Sequence, residues 1–103
     1  MIVQSGVKHV AVYWLKQPSD KEILMEMLGR LATLPQVESM VIGPPIDHDW
    51  PAMRIDSSWD VGFVAELRDK DACRDYFDDP LHQKLAHGMI DLVERVFPFY
   101  IDY

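Results

Sequence analysis

The chain has 103 residues, 49% of them hydrophobic and 26% charged, which fits one folded domain and excludes a disordered, fibrous or membrane-spanning polypeptide. A single core at this length buries roughly 60–65% of the unfolded surface, so two independent cores are ruled out and residues 1–103 are expected to form one domain. With 10 Lys+Arg against 17 Asp+Glu the formal charge is −7, and in the absence of a basic patch this repels nucleic acid and anionic membranes.

Val7 to Leu15 (VKHVAVYWL) is rich in β-branched and aromatic residues and closes at Pro18 and Ser19, which predicts a first strand. Alternation puts Val7, His9, Ala11, Tyr13 and Leu15 on one face and Val10, Val12 and Trp14 on the other. Both faces are largely apolar. One layer of helices covers only one of them, so a second copy of the chain is expected over Val10, Val12 and Trp14.

Ser19 with Glu22 three residues on reads as a capping box that starts a helix. Ile23, Leu24, Met27, Leu28, Leu31 and Leu34 form its apolar stripe, and Pro35 ends it. Val37 to Ile42 predicts a second strand, stopped by Gly43, Pro44 and Pro45. Residues 43–58 hold three prolines and no apolar period, and are expected to form a long surface loop. Trp59 to Leu67 alternates as a third strand. Asp69 caps a short helix through Phe77, Leu81 to Val96 reads as a longer helix, and Phe99 to Tyr103 as a last strand. The order βαββαβ predicts an α+β, ferredoxin-like fold: an antiparallel four-stranded sheet with helices on one face.

Three strings, VKHVAVYWL, DYFDDPLHQKL and FYIDY, together resemble the stress-responsive A/B barrel (Dabb) family over nearly the whole chain. The most specific piece is Tyr76, then Pro80, then His82. The resemblance implies a ferredoxin-like subunit whose sheet pairs with a twin in a dimeric α+β barrel, which agrees with the two apolar faces of the first strand. Activities in the family are mostly unassigned. One member type that it distantly resembles is a plant polyketide (olivetolic acid) cyclase, which closes an aromatic ring by intramolecular aldol condensation. That likeness implies catalytic roles for His82, Tyr76 and His9; the third-strand position where the cyclase carries a further histidine is Val61 here.

The spacing of His82 to Leu85, Ala86 and Met89 points its imidazole toward the sheet. His9 shares its strand face with Ala11, a small residue that leaves room for a cavity. A near-neutral imidazole in an apolar cleft suits removal of a proton beside a carbonyl, with His82 as general base, Tyr76 donating a hydrogen bond to the carbonyl oxygen and His9 as a second polar group. These parts require no metal or organic cofactor. Tyr13, Trp50, Phe63 and Met89 are the expected ligand contacts. Trp50 and Met53 suit either a lid or an anchor for their loop.

Each of these groups also has a plain structural role. His82 can bond its local backbone with Tyr76 stapling the two helices, and His9 can be a satisfied strand histidine. His87 is expected in solvent. Asp47, His48 and Asp49 are consecutive and converge poorly on one metal ion, so no metal is expected. Cys73 cannot form an internal disulfide and lacks a base to activate it. Gln4, Lys8 and His9 interrupt residues 1–12 as a signal peptide, no apolar run approaches ~18 residues, and a cytoplasmic location is expected. Three functions fit the sequence: a homodimeric barrel binding a small apolar or carbonyl-containing molecule, a cyclase- or isomerase-like enzyme, and a dimerisation module without ligand.

Overall fold

The computed structural model describes residues 5–49 and 55–103. Strand β1 (Val7–Leu15) has the bounds expected from its alternation, with Val7, His9, Ala11, Tyr13 and Leu15 buried and the residues between them half-buried. Helix α1 (Lys21–Arg30) begins differently from expectation. Ser19 lies inside a 3₁₀ turn (Pro18–Asp20), and Asp20 holds the N-cap position without a side-chain bond. Pro18 fixes its own φ and has no amide hydrogen to satisfy, so the backbone turns there before any Ser19–Glu22 pair can form. Leu24, Leu28, Leu31 and Leu34 are buried, whereas Ile23, at the edge of the stripe, stays exposed.

Strand β2 (Val37–Gly43) follows, and β3 (Val61–Leu67) starts later than the expected Trp59. Asp60 is occupied with β1: its amide donates to the Tyr13 carbonyl at 2.8 Å and its carboxylate accepts from the Leu15 amide at 2.8 Å. Trp59 lies over Gly62, where a Cβ would come within 3.0 Å of the indole. Only glycine leaves that seat open.

Helix α2 (Lys70–Asp78) is capped by Asp69, whose side chain accepts from the Ala72 amide, as the sequence predicts. Helix α3 (Pro80–Met89) is shorter than the expected Leu81–Val96 helix, and β4 (Val93–Asp102) is correspondingly longer than Phe99–Tyr103. The Lys16 amide donates to the Leu92 carbonyl at 2.9 Å, which ties the turn after α3 to the end of β1. From there Val93, Val96, Phe97 and Phe99 pair with β1 along its length. Their β-branched and aromatic side chains suit a pleated surface, and that ladder outweighs the helical period read from Met89, Ile90 and Val93.

The strands form one four-stranded sheet in the order β2-β3-β1-β4, every neighbour antiparallel. This is the ferredoxin-like arrangement. The helices cover one face, where Leu24, Leu28, Val61, Leu67 and Tyr76 are the largest fully enclosed side chains. The other face carries Val10, Val12, Val41, Val64, Phe97, Phe99 and Ile101 by register, with Val41 71% and Phe97 50% exposed in the single chain.

Asp79 caps α3 by accepting from the Leu81 amide at 2.9 Å, with Pro80 in the first turn, and so sets the position of His82. Asp79→Ala is expected to cost about 1 kcal/mol and to lower Tm by roughly 4–8 °C in a thermal melt.

Candidate functional site

The site forms where α3 stands off from β1 and β4. His82, Ala86, Met89 and Ile90 recur at helical spacing and turn one face of α3 toward the sheet. Across from them β1 contributes His9 and Tyr13, and β4 contributes Val96, Pro98 and Tyr100. Register makes His9 and Tyr100 direct neighbours, and likewise Tyr13 and Val96. Together with Val93 these residues border an open cavity of about 270 Å³. Its walls are mostly apolar. Two imidazoles and two phenols supply the polar lining, and no Lys, Arg, Asp or Glu lies among the residues that form it.

His9 is the hub. Its Nδ1 lies 3.0 Å from the Tyr76 hydroxyl and its Nε2 lies 2.8 Å from the Tyr100 hydroxyl. A neutral imidazole has one donor and one acceptor, so it accepts from one tyrosine and donates to the other. The Tyr100 ring also stacks on the imidazole, with centroids 4.2 Å apart, while Phe63 and Tyr76 meet it edge-on at 4.8 and 5.5 Å. Burial in this aromatic cage pushes the His9 pKa down to about 3, and repulsion from His82 when that ring is protonated adds to the effect. His9 is therefore neutral at physiological pH. Burial likewise lifts the Tyr13, Tyr76 and Tyr100 hydroxyls above their ordinary range.

His82 packs its ring 4.5 Å from that of Tyr76. Its Nδ1 is buried and makes no hydrogen bond among the described residues. Burial lowers its pKa, while the Asp79 carboxylate and the Phe77 backbone pull the other way. A neutral imidazole with an unpaired ring nitrogen at an apolar cavity is chemically competent to take up a proton.

The three residues singled out in the sequence, His9, Tyr76 and His82, thus come together. Tyr76 is wholly buried behind the cavity wall, its hydroxyl against His9. Tyr13 and Met89 line the cavity; Phe63 sits in the core and supports the His9 ring. Trp50 and Met53 lie outside the described residues. His87 is exposed, and burial raises the Cys73 thiol pKa, which holds it in its less reactive protonated form. Tyr100 was missed as a site residue. Its signal was the final FYIDY string, which predicts a strand but not which residue of β1 faces it.

Among the described residues no helix is long and apolar enough to cross a membrane. No curated protein matches the sequence. Solved structures share the fold across its length. A Dabb family protein with a ferredoxin-like fold from Mesorhizobium loti is 21% identical, with 95% of this chain and 96% of that chain covered and a TM-score of 0.74. A dimeric ferredoxin-like protein of unknown function from Thermobifida fusca is 20% identical over 100% of this chain and 95% of that one, at a TM-score of 0.73. A hydroxynitrile lyase from Passiflora edulis is 14% identical, covers 95% of this chain and 93% of that one, and has a TM-score of 0.78. At the sequence level the family model described as the stress responsive A/B barrel domain matches residues 7–103, from the first residue of β1 through β4, and the chain belongs to this Dabb family.

Proposed function

We propose that this Dabb protein binds a small apolar or carbonyl-containing molecule in the cavity between α3 and the β1–β4 edge, acting as a homodimer. The observation that carries the reading is the cavity itself: a volume of about 270 Å³, hydrocarbon walls, and imidazole and phenol groups without any charged side chain in the lining. Ligand pockets usually span ~300–1,000 Å³, so the occupant is small, a single ring or a short chain. Its apolar body replaces water along Ala86, Met89, Ile90, Val93 and Val96.

Dimerisation rests on the opposite sheet face. Val10, Val12 and Trp14 lie there with the exposed Val41, Phe97, Phe99 and Ile101, an apolar face of the kind that marks a protein–protein contact. A hollow of about 320 Å³ bordered by Val10, Val12, Val41, Val64 and Trp59 gives this face relief into which a second copy can pack. Relatives described as dimeric carry the same fold.

A second reading, an enzyme of the cyclase or isomerase kind, is favoured by the unpaired Nδ1 of His82. In it His82 takes a proton from the carbon beside a carbonyl, and the electron pair left behind moves onto the carbonyl oxygen as an enolate. A phenol hydroxyl then donates to that oxygen. The Tyr76 hydroxyl is engaged with His9 behind the cavity wall, so at rest Tyr76 and His9 hold the site in position.

Acetophenone tests both readings. Added to ¹⁵N-labelled protein, it is expected to shift amide resonances of α3 and β4; shifts confined to other elements, or none, would overturn the binding site. In D₂O, the enzyme reading expects the protein to speed exchange of its methyl protons over buffer, and His82→Ala to lose roughly 10²–10⁴-fold of that rate while still binding. Exchange at the buffer rate would leave a binding protein only.

A further inference from the structure

Two phenols, Tyr13 and Tyr100, line this cavity and a third, Tyr76, lies behind its wall, and they are not equivalent. The Tyr76 and Tyr100 hydroxyls are both held at His9, at 3.0 and 2.8 Å. Tyr13 is different. Its side chain is only 5% exposed and lines the cavity, yet its hydroxyl makes no hydrogen bond among the described residues. The hydroxyl oxygen keeps access to water through the cavity, and a ligand that displaces that water without offering an acceptor leaves the hydroxyl unpaired, which is costly. The ring itself is fixed: it stacks on Phe63 with centroids 6.1 Å apart, and its strand neighbours are Val61 and Val96. The hydroxyl therefore has a settled position.

We propose that the Tyr13 hydroxyl is the group by which the cavity recognises its ligand, donating a hydrogen bond to the oxygen of a neutral carbonyl compound whose remainder is hydrocarbon. This rests on the binding reading above and adds to it the recognising atom and the ligand class. A ketone, aldehyde or ester oxygen satisfies the phenol and brings no charge into the cavity. A carboxylate of the same shape meets no cation in the lining and gives up its hydration for one hydrogen bond. A pure hydrocarbon fills the space and leaves the hydroxyl unpaired. Burial, which raises the Tyr13 pKa, keeps the donor protonated throughout the physiological range.

The experiment compares acetophenone with α-methylstyrene, in which CH₂ replaces the carbonyl oxygen, by NMR titration of the full chain. Wild-type protein is expected to bind acetophenone more tightly than α-methylstyrene. Tyr13→Phe, which keeps the ring and its packing, is expected to weaken acetophenone about tenfold, the worth of one neutral hydrogen bond, and to leave α-methylstyrene unchanged. Tyr103→Phe, a phenol outside the cavity lining, is the control and should preserve the wild-type ratio. If Tyr13→Phe leaves the ratio unchanged, or Tyr103→Phe abolishes it, the proposal is overturned while the cavity stands as a binding site. If neither probe moves α3 or β4 resonances, the binding reading falls and the proposal with it.

Discussion

Val12→Asp is expected to convert the dimer into a monomer. Val12 stands in the middle of the sheet face opposite the helices, between Gly62 of β3 and Phe97 of β4. In the single chain it is only half-covered, so a carboxylate there meets water and the subunit folds. Against a second copy the same carboxylate loses its hydration among valines and phenylalanines, and a cation on that face, Arg95, is already stacked on the Trp14 ring. An uncompensated buried charge costs roughly 3–5 kcal/mol, and a two-fold interface buries it twice. The dissociation constant should therefore rise at least ~100-fold. Sedimentation velocity at micromolar concentration reads this directly: wild type at the mass of two chains, the variant at one. Ile23→Asp, on the exposed edge of α1, provides the control and should stay dimeric. Wild-type protein that sediments as a monomer would overturn the assembly.

Acidification should destabilise the fold through His9, by an amount large for one residue. The folded-state pKa of about 3 lies below the ordinary histidine value of 6.5. Below pH 6.5 the unfolded chain takes up a proton that the folded chain refuses, so stability falls as pH drops from about 6.5 toward 3. It is fully present above pH 6.5. The linkage amounts to about 2 kcal/mol at pH 5 and about 4 kcal/mol by pH 3. The cause is local. Phe63, Tyr76 and Tyr100 cage the imidazole, and the tyrosines offer hydroxyls where an imidazolium would need a carboxylate. His82, also lowered by burial, adds in the same direction. Urea unfolding at pH 7 and pH 5, at one protein concentration, checks this against His9→Gln, which cannot titrate. Wild type should lose about 2 kcal/mol more than the variant between the two pH values. Equal losses would mean that His9 is protonated in the native state.

The two expectations concern opposite faces of one strand, and β1 links them. Its period of two sends His9 and Tyr13 to the cavity and Val10 and Val12 to the outer face. A substitution on one face should leave the other's function in place, so cavity variants can be studied in the dimer and interface variants can still be tested for ligand.

Local pattern in the sequence was sufficient for several features. β1 is nine residues of alternating β-branched and aromatic side chains, and its bounds follow from that alternation. The Asp69 cap of α2 and the inward turn of His82 each depend on spacings of a few residues along one helix. The ferredoxin-like class followed from the element order βαββαβ, because an antiparallel sheet under one helical layer admits few connections. Where local signals competed, the sequence was ambiguous. Met89, Ile90 and Val93 satisfy a helical period, yet Val93 onward pairs with β1, because ladder hydrogen bonds and cross-strand packing are gained only once β1 is in place.

The residue types of the site, and the face each occupies on its own element, were thus set by the sequence alone. Which of them touch was decided by tertiary structure. His9 and Tyr100 are 91 positions apart and meet because β4 pairs with β1 in one register; a shift of one residue would turn Tyr100 to the outer face. The same register places Val96 beside Tyr13, and the stand-off of α3 opens the space that their side chains line. Register and helix stand-off come from the sum of many weak contacts across the whole core, and no short stretch of sequence carries that sum.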